Sequence, residues 1–126
     1  MLADWPVHAA IPATDIARAK AFYRDTLGFD IAEEAEEGVR FDCGGTQFYI
    51  YPTSAGGQAK HTLASWRVGD LDAEMVDLRE RGVMFEEYDV PGLKTVEGIA
   101  EWGRVRGAWF KDSEGNILGV TQLRSA

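Results

Sequence analysis

The sequence has one cysteine, few basic residues and no long apolar run, and each shortage excludes a class of protein. Cys43 is the single cysteine, so no internal disulfide can form, and we expect a reducing, cytoplasmic location. No stretch approaches 18 apolar residues, and the N-terminus lacks a signal-peptide pattern, so no membrane association is expected. The sequence has 13 Lys and Arg residues and 21 Asp and Glu residues, which gives a net charge of −8. This acidic balance argues against a nucleic-acid partner.

What the sequence does contain is a repeat. Each copy begins with a short apolar strand that ends at an aspartate, Asp15 in the first copy and Asp70 in the second. An amphipathic helix follows, which the aspartate can cap, and it stops at Gly28 or Gly82. A module used twice predicts a pseudo-twofold cleft between the copies, where the functional site is expected.

The strand pattern completes each copy as βαβββ. Period-two runs predict strands at 7–13, 29–37, 39–43 and 47–51 in the first copy, and at 61–68, 83–88, 105–111 and 117–123 in the second. The predicted fold is α+β, with two βαβββ modules that form a curved eight-stranded sheet around a central cleft, helices outside. The modules cover about 5–52 and 61–124 of a single domain, joined by a linker at 53–60. Residues 89–103, rich in Gly and Pro, are expected to be irregular, with their role left open.

Two motifs resemble the vicinal oxygen chelate superfamily, which includes glyoxalase I, extradiol dioxygenases and bleomycin-resistance proteins. The first is His8 and Asp15 followed by Phe22-Tyr23 and Leu27-Gly28-Phe29. The second is the turn from Trp109 to Asn116, in which Ser113 replaces the usual proline. The resemblance covers almost the whole chain, and it implies a homodimer formed through edge strands or by exchange of modules.

Metal-using members of that superfamily hold one divalent ion with four ligands, two from each module. Carried over position by position, the resemblance places His8, then Tyr49 or Tyr51, then Leu63 and Gly119 at these positions. Only His8 is a competent ligand, and one imidazole cannot hold a divalent ion against water. We therefore expect no metal and no other cofactor. His61 in a shifted strand register, or Glu101 from the long irregular segment, would be needed to restore a metal site.

Strand alternation assigns a set of side chains to the cleft once His8 and Leu63 are taken to point inward. An aromatic and mixed-polar pocket of this kind suits a small, partly aromatic organic molecule. Simpler interpretations remain: His8 as a hydrogen-bonded strand residue, the two tyrosines as a dimer contact, and Arg67 as the partner of a surface Glu. The predicted ligand-binding residues are His8, Tyr49, Tyr51, Leu63, Ser65, Arg67, Trp109 and Thr121.

Metal-independent binding without catalysis is the function that these patterns favour, and other classes stay open. One is a metal-dependent lyase, isomerase or dioxygenase of the glyoxalase type, in which the ion polarises substrate oxygens. Another is metal-free acid–base catalysis, with His8 as the base and a tyrosine as the donor. A purely structural interaction module is the third.

Overall fold

The computed structural model describes residues 1–125 and contains two βαβββ modules, which confirms the predicted α+β class. The first module has strands β1 (Ala10–Ala13), β2 (Ile31–Ala35), β3 (Gly38–Cys43) and β4 (Thr46–Pro52). The second has β5 (Thr62–Arg67), β6 (Asp89–Val90), β7 (Leu93–Lys94), β8 (Ala100–Trp102), β9 (Val105–Lys111) and β10 (Ile117–Leu123). Strands β6 and β7 form a separate small hairpin.

Both helices begin where the sequence predicts, because an aspartate caps each one. Helix α1 (Ile16–Ala21) continues as a π turn over Phe22–Thr26, and Asp15 Oδ1 accepts a hydrogen bond from the Arg18 amide. Helix α2 (Leu71–Glu80) is capped by Asp70, whose Oδ1 accepts from the Ala73 amide. Within residues 1–125, neither helix is long and apolar enough to cross a membrane.

The eight main strands form two four-stranded sheets with separate hydrogen-bond ladders. The strand order is β1-β4-β3-β2 in the first sheet and β5-β10-β9-β8 in the second. Each sheet begins with a parallel pair, β1 with β4 and β5 with β10, as a crossover through a helix requires. The two sheets therefore have the same topology, as the repeat in the sequence predicts.

One predicted strand is wrong. Residues 83–88 make only an isolated bridge between Phe85 and Phe110, and the fourth strand of the second sheet is β8, inside the segment expected to be irregular. Phe85 instead packs on the Phe110 ring, with centroids 5.9 Å apart. Residues 83–88 thus pair with β9 at a single point, where the Glu86 amide donates to the Trp109 carbonyl at 2.7 Å, and they do not form a strand.

The faces of the two sheets that carry the helices share one hydrophobic core. Trp66 of β5 stacks on Phe29 at 5.7 Å and meets Phe48 of β4 edge-on at 6.0 Å. Its indole nitrogen also donates to Cys43 Sγ of β3 at 3.2 Å, and Cys43 is a free thiol. Strand β5 therefore lies against the buried face of the first sheet, and the opposite faces of both sheets point away from this core.

A buried polar cluster joins the modules at the turn between β9 and β10. Asp112 accepts hydrogen bonds from the Tyr23 hydroxyl at 2.6 Å and from the Asn116 side chain at 2.9 Å. Asn116 also donates to the Pro12 carbonyl at 2.8 Å, and Glu114 pairs with Arg18 at 2.7 Å. The turn motif that resembles the superfamily thus connects the second module to β1 and α1 of the first.

Candidate functional site

Apart from Leu63, the predicted ligand-binding residues lie on or beside the open faces of the two sheets, opposite the core. The alternation predicted from the sequence is confirmed: Phe48 and Ile50 are buried, whereas Tyr49 and Tyr51 are 39% and 37% exposed. On β10, Leu118 and Val120 are buried in the core. The predicted residues divide into two half-sites, one on each sheet, and Ser65 and Arg67 of the second also border a cavity with Val7 and Ala9 of the first module.

The first half-site contains His8, Tyr49 and Tyr51. Strand β1 begins at Ala10, so His8 precedes the strand predicted to contain it and is exposed. His8 and Tyr49 border the same cavity of about 360 Å³, and the two tyrosine rings lie 6.3 Å apart. Glu33 and Arg40, paired at 3.1 Å, border this cavity as well.

The second half-site is shaped by a β-bulge in β5. Ile117 pairs with Thr62 but Leu118 pairs with Ala64, so Leu63 is the extra residue. The bulge brings Thr62 onto the open face beside Trp109. Thr62 is not among the predicted ligand-binding residues. The indole nitrogen of Trp109 donates to Thr62 Oγ1 at 3.1 Å. A bulge in a strand interior has no signal in the sequence pattern here.

Trp109 lies over glycines of the sheet. A Cβ built at Gly119 would be 3.2 Å from Ser65 Oγ and 3.5 Å from Trp109 Nε1, and one at Gly107 would be 3.5 Å from the same indole ring. Thr121 lies beside Gly107 and pairs with Arg67 of β5. The second half-site thus groups Ser65, Arg67, Trp109 and Thr121 along β5, β9 and β10.

Three aromatic side chains border a cavity of about 340 Å³ on this face. Trp109 meets Trp102 edge-on at 5.7 Å and Tyr88 edge-on at 5.8 Å, and Leu93 of the small hairpin borders the same cavity. Burial and the nearby Glu86 raise the pKa of the Tyr88 hydroxyl, so it stays protonated at neutral pH. Trp102 comes from the segment 89–103, whose role the sequence leaves open, and Tyr88 comes from the run 83–88 that was predicted to be a strand.

The residues present do not fit the divalent metal that the superfamily implies. Across residues 1–125, no three His, Cys, Asp or Glu side chains are placed to hold a metal ion together. His61 does border the cavity beside Trp109, but its Nδ1 is 3.1 Å from the Thr62 carbonyl oxygen. Glu101 pairs with Arg106 at 3.3 Å and with Arg124 at 3.1 Å.

A further reason lies at Gly119, where metal-using members carry Glu. A Cβ there would lie 3.2 Å from Ser65 Oγ, which would have to shift, and in contact with Thr62 and Trp109 at 3.4 and 3.5 Å. The three side chains thus cover Gly119, and the sheet presents the Trp109 ring at that place.

The duplicated modules, the βαβββ topology and the turn at residues 112–116 agree with a family model. The model of the glyoxalase/bleomycin resistance protein/dioxygenase superfamily matches residues 5–120. The chain belongs to this superfamily. None of the curated proteins matches the sequence significantly.

Solved structures of the superfamily share this fold. A glyoxalase/bleomycin resistance protein from Streptomyces sp. CB03234 is 25% identical, covering 90% of this chain and 96% of that one, with a TM-score of 0.65. TnmS3, an antibiotic binding protein from Streptomyces sp. CB03234, is 24% identical, with 94% and 97% covered and a TM-score of 0.69. Lactoylglutathione lyase from Agrobacterium tumefaciens is 17% identical, with 94% and 92% covered and a TM-score of 0.70.

Proposed function

We propose that this superfamily member binds a small, partly aromatic organic molecule without a metal ion. The observation that carries the proposal is the position of Trp109 over Gly119, flanked by Trp102 and Tyr88. Aromatic walls with a few hydroxyl groups suit a planar ligand that is oriented by hydrogen bonds. The fold similarity to an antibiotic binding protein is compatible with this function.

The binding unit we propose is a homodimer. One copy presents two half-sites that border separate cavities, one beside His8 and one beside Trp109. A twofold axis can bring the His8 and Tyr49 half-site of one copy against the Trp109 half-site of the other, which forms two equal clefts. The free Cys43 thiol is compatible with the cytoplasmic location that we propose.

The decisive experiment combines metal analysis with ligand binding. Protein purified without chelator is measured for bound Mg, Mn, Fe, Ni and Zn, and its thermal shift is recorded with a panel of planar aromatic compounds. We expect substoichiometric metal and stabilisation by a subset of the compounds, lost in Trp109→Ala and kept in Trp5→Ala. Trp5 is 72% exposed and lies outside both half-sites, which makes it a matched control.

Two results would overturn the proposal. One metal ion per chain, with turnover that disappears with chelator and returns with the metal, would assign the protein to the metal-dependent lyases or isomerases. If Trp109→Ala does not affect binding, the ligand binds at another place on the protein. A monomer by light scattering that still binds fully would reject the composite cleft and leave one half-site sufficient.

A further inference from the structure

The second half-site is bordered by cations that have no acidic partner. Most Lys and Arg side chains of this acidic protein form ion pairs with carboxylates, at 2.7 to 3.7 Å. Lys60 and Arg67, near the two ends of β5, are exposed, and within residues 1–125 neither has a carboxylate within 4.0 Å or a side-chain hydrogen bond. Lys94, the third such cation, lies on the small hairpin opposite Asp89.

Within one copy, no carboxylate side chain of residues 1–125 borders the cavity beside Trp109. Lys60 borders it together with the three aromatic rings. Of the nearby carboxylates, Glu86 pairs with Lys111 at 3.7 Å and Glu101 pairs with Arg106 and Arg124, whereas Asp89 of the small hairpin is opposite Lys94. The cavity beside His8 differs, because Glu33 and Glu37 border it.

Lys60 is available to a ligand because the aromatic rings do not hold it. Among the described residues, the cation–π contact is that of Arg79 over Phe85, 5.2 Å from the ring centroid, and Lys60 forms none. Trp102 is 45% exposed, so it offers ring surface for stacking in the cavity that Lys60 also borders. A ligand can therefore stack its aromatic ring and pair its anionic substituent at the same time.

We propose that the second half-site selects planar aromatic anions, such as aryl carboxylates, over neutral aromatic compounds of the same shape. The ring packs against Trp109 and Trp102, and the carboxylate pairs with the Lys60 ammonium. This inference rests on the proposed function, whose site it shares. An ion pair beside an apolar surface strengthens binding more than a fully hydrated one.

The test compares 2-naphthoate with 2-naphthamide, which have the same ring system and differ in charge. Binding to the intact protein is followed by calorimetry and by tryptophan fluorescence at low and high salt. We expect 2-naphthoate to bind about two- to fivefold more tightly, the range that a solvent-exposed ion pair supplies. This preference disappears in Lys60→Gln, persists in Lys60→Arg and decreases at high salt.

Lys20→Gln is the matched control, because it removes the same charge from α1, where Lys20 pairs with Glu34 at 2.8 Å. It should keep the preference for 2-naphthoate. Equal binding of both compounds by the unaltered protein, with quenching that depends on Trp109, would refute the anion preference and leave the proposed function standing. A preference that survives in Lys60→Gln would refute the assignment to Lys60. Absence of binding by either compound would reject the anion site and count against the proposed function.

Discussion

The Trp109 indole nitrogen lies 3.1 Å from Thr62 Oγ1, and this hydrogen bond holds the ring over Gly119. Metal-using members of the superfamily carry Glu at the position of Gly119. Here the indole and the Ser65 hydroxyl crowd the place that such a side chain would take. The absence of a carboxylate at position 119 and the presence of the Trp109 indole over that position are therefore related.

Gly119→Glu tests this relationship. We expect the substitution to push Trp109 out of place and to lower the free energy of unfolding by about 1–3 kcal/mol, because it overpacks a filled site. It should also abolish binding of planar aromatic compounds without creating a metal site. Denaturant unfolding, tryptophan fluorescence and metal analysis measure the three effects.

Gly69→Glu provides the control, because a Cβ at Gly69 meets nothing within 4 Å and the added charge is the same. It should leave stability and the tryptophan spectrum nearly unchanged. If Gly119→Glu behaves like Gly69→Glu, the indole does not fill the ligand position as described.

Local patterns account for what the sequence predicts correctly. The Asp15 and Asp70 caps follow from short-range hydrogen bonding, and Gly28 and Gly82 both adopt positive φ, 84° and 91°. The alternation of Phe48 and Tyr49 fixes the buried face because the side chains of a strand point to opposite sides. These signals lie within a few residues of the elements they specify.

Long-range pairing explains what the sequence does not predict. Both 83–88 and 100–102 can pair with β9, and the choice of β8 depends on where Phe85 packs against Phe110. The bulge at Leu63 depends on the register with β10, which the β5 sequence alone does not specify. The division into half-sites depends on Trp66 reaching Cys43 and Phe48 of the other module.

Tyr23→Phe tests the buried connection between the modules. The Tyr23 hydroxyl donates to Asp112 at 2.6 Å, and burial together with this carboxylate raises the Tyr23 pKa above its ordinary value. We expect the variant to lose about 1.5–3 kcal/mol of unfolding free energy, the usual contribution of a hydrogen bond to a charged group. Denaturant unfolding at pH 7 measures the loss.

Tyr49→Phe removes the same hydroxyl group from an exposed ring with no side-chain hydrogen bond among the described residues. Its stability should match that of the unaltered chain within a few tenths of a kcal/mol. Equal effects of the two substitutions would show that the contact with Asp112 contributes little.

Glu114→Gln tests a stability that depends on pH. The hydrogen bonds from Arg18 lower the Glu114 pKa to about 2, and the Asp15 amide also donates to this carboxylate. A lowered pKa stabilises the fold above the ordinary value near 4.5, and this stabilisation is lost as pH falls through 4.5 toward 2. The Arg18 side chain is 55% exposed, and water screens its charge. We therefore expect Glu114→Gln to lower the free energy of unfolding by about 1–3 kcal/mol at pH 7.

The measurement is the difference in unfolding free energy between Glu114→Gln and the unaltered chain from pH 7 to pH 2. The difference should be constant above about pH 5 and should shrink below it. Glu33→Gln removes a carboxylate from an exposed pair with Arg40 and should show little effect at any pH. If the difference in unfolding free energy between Glu114→Gln and the unaltered chain stays the same down to pH 2, the lowered pKa is contradicted.

Trp66→Ala tests whether the two modules share one core. The Trp66 ring contacts Phe29 and Phe48 of the first module from β5 of the second, so its removal opens a cavity between the sheets. We expect a loss of about 3 kcal/mol with a single unfolding transition, whereas Trp5→Ala, at an exposed position, should cost almost nothing. Calorimetry and denaturant unfolding measure both quantities. Two separate transitions, or a loss no larger than that of Trp5→Ala, would mean that each module has its own core.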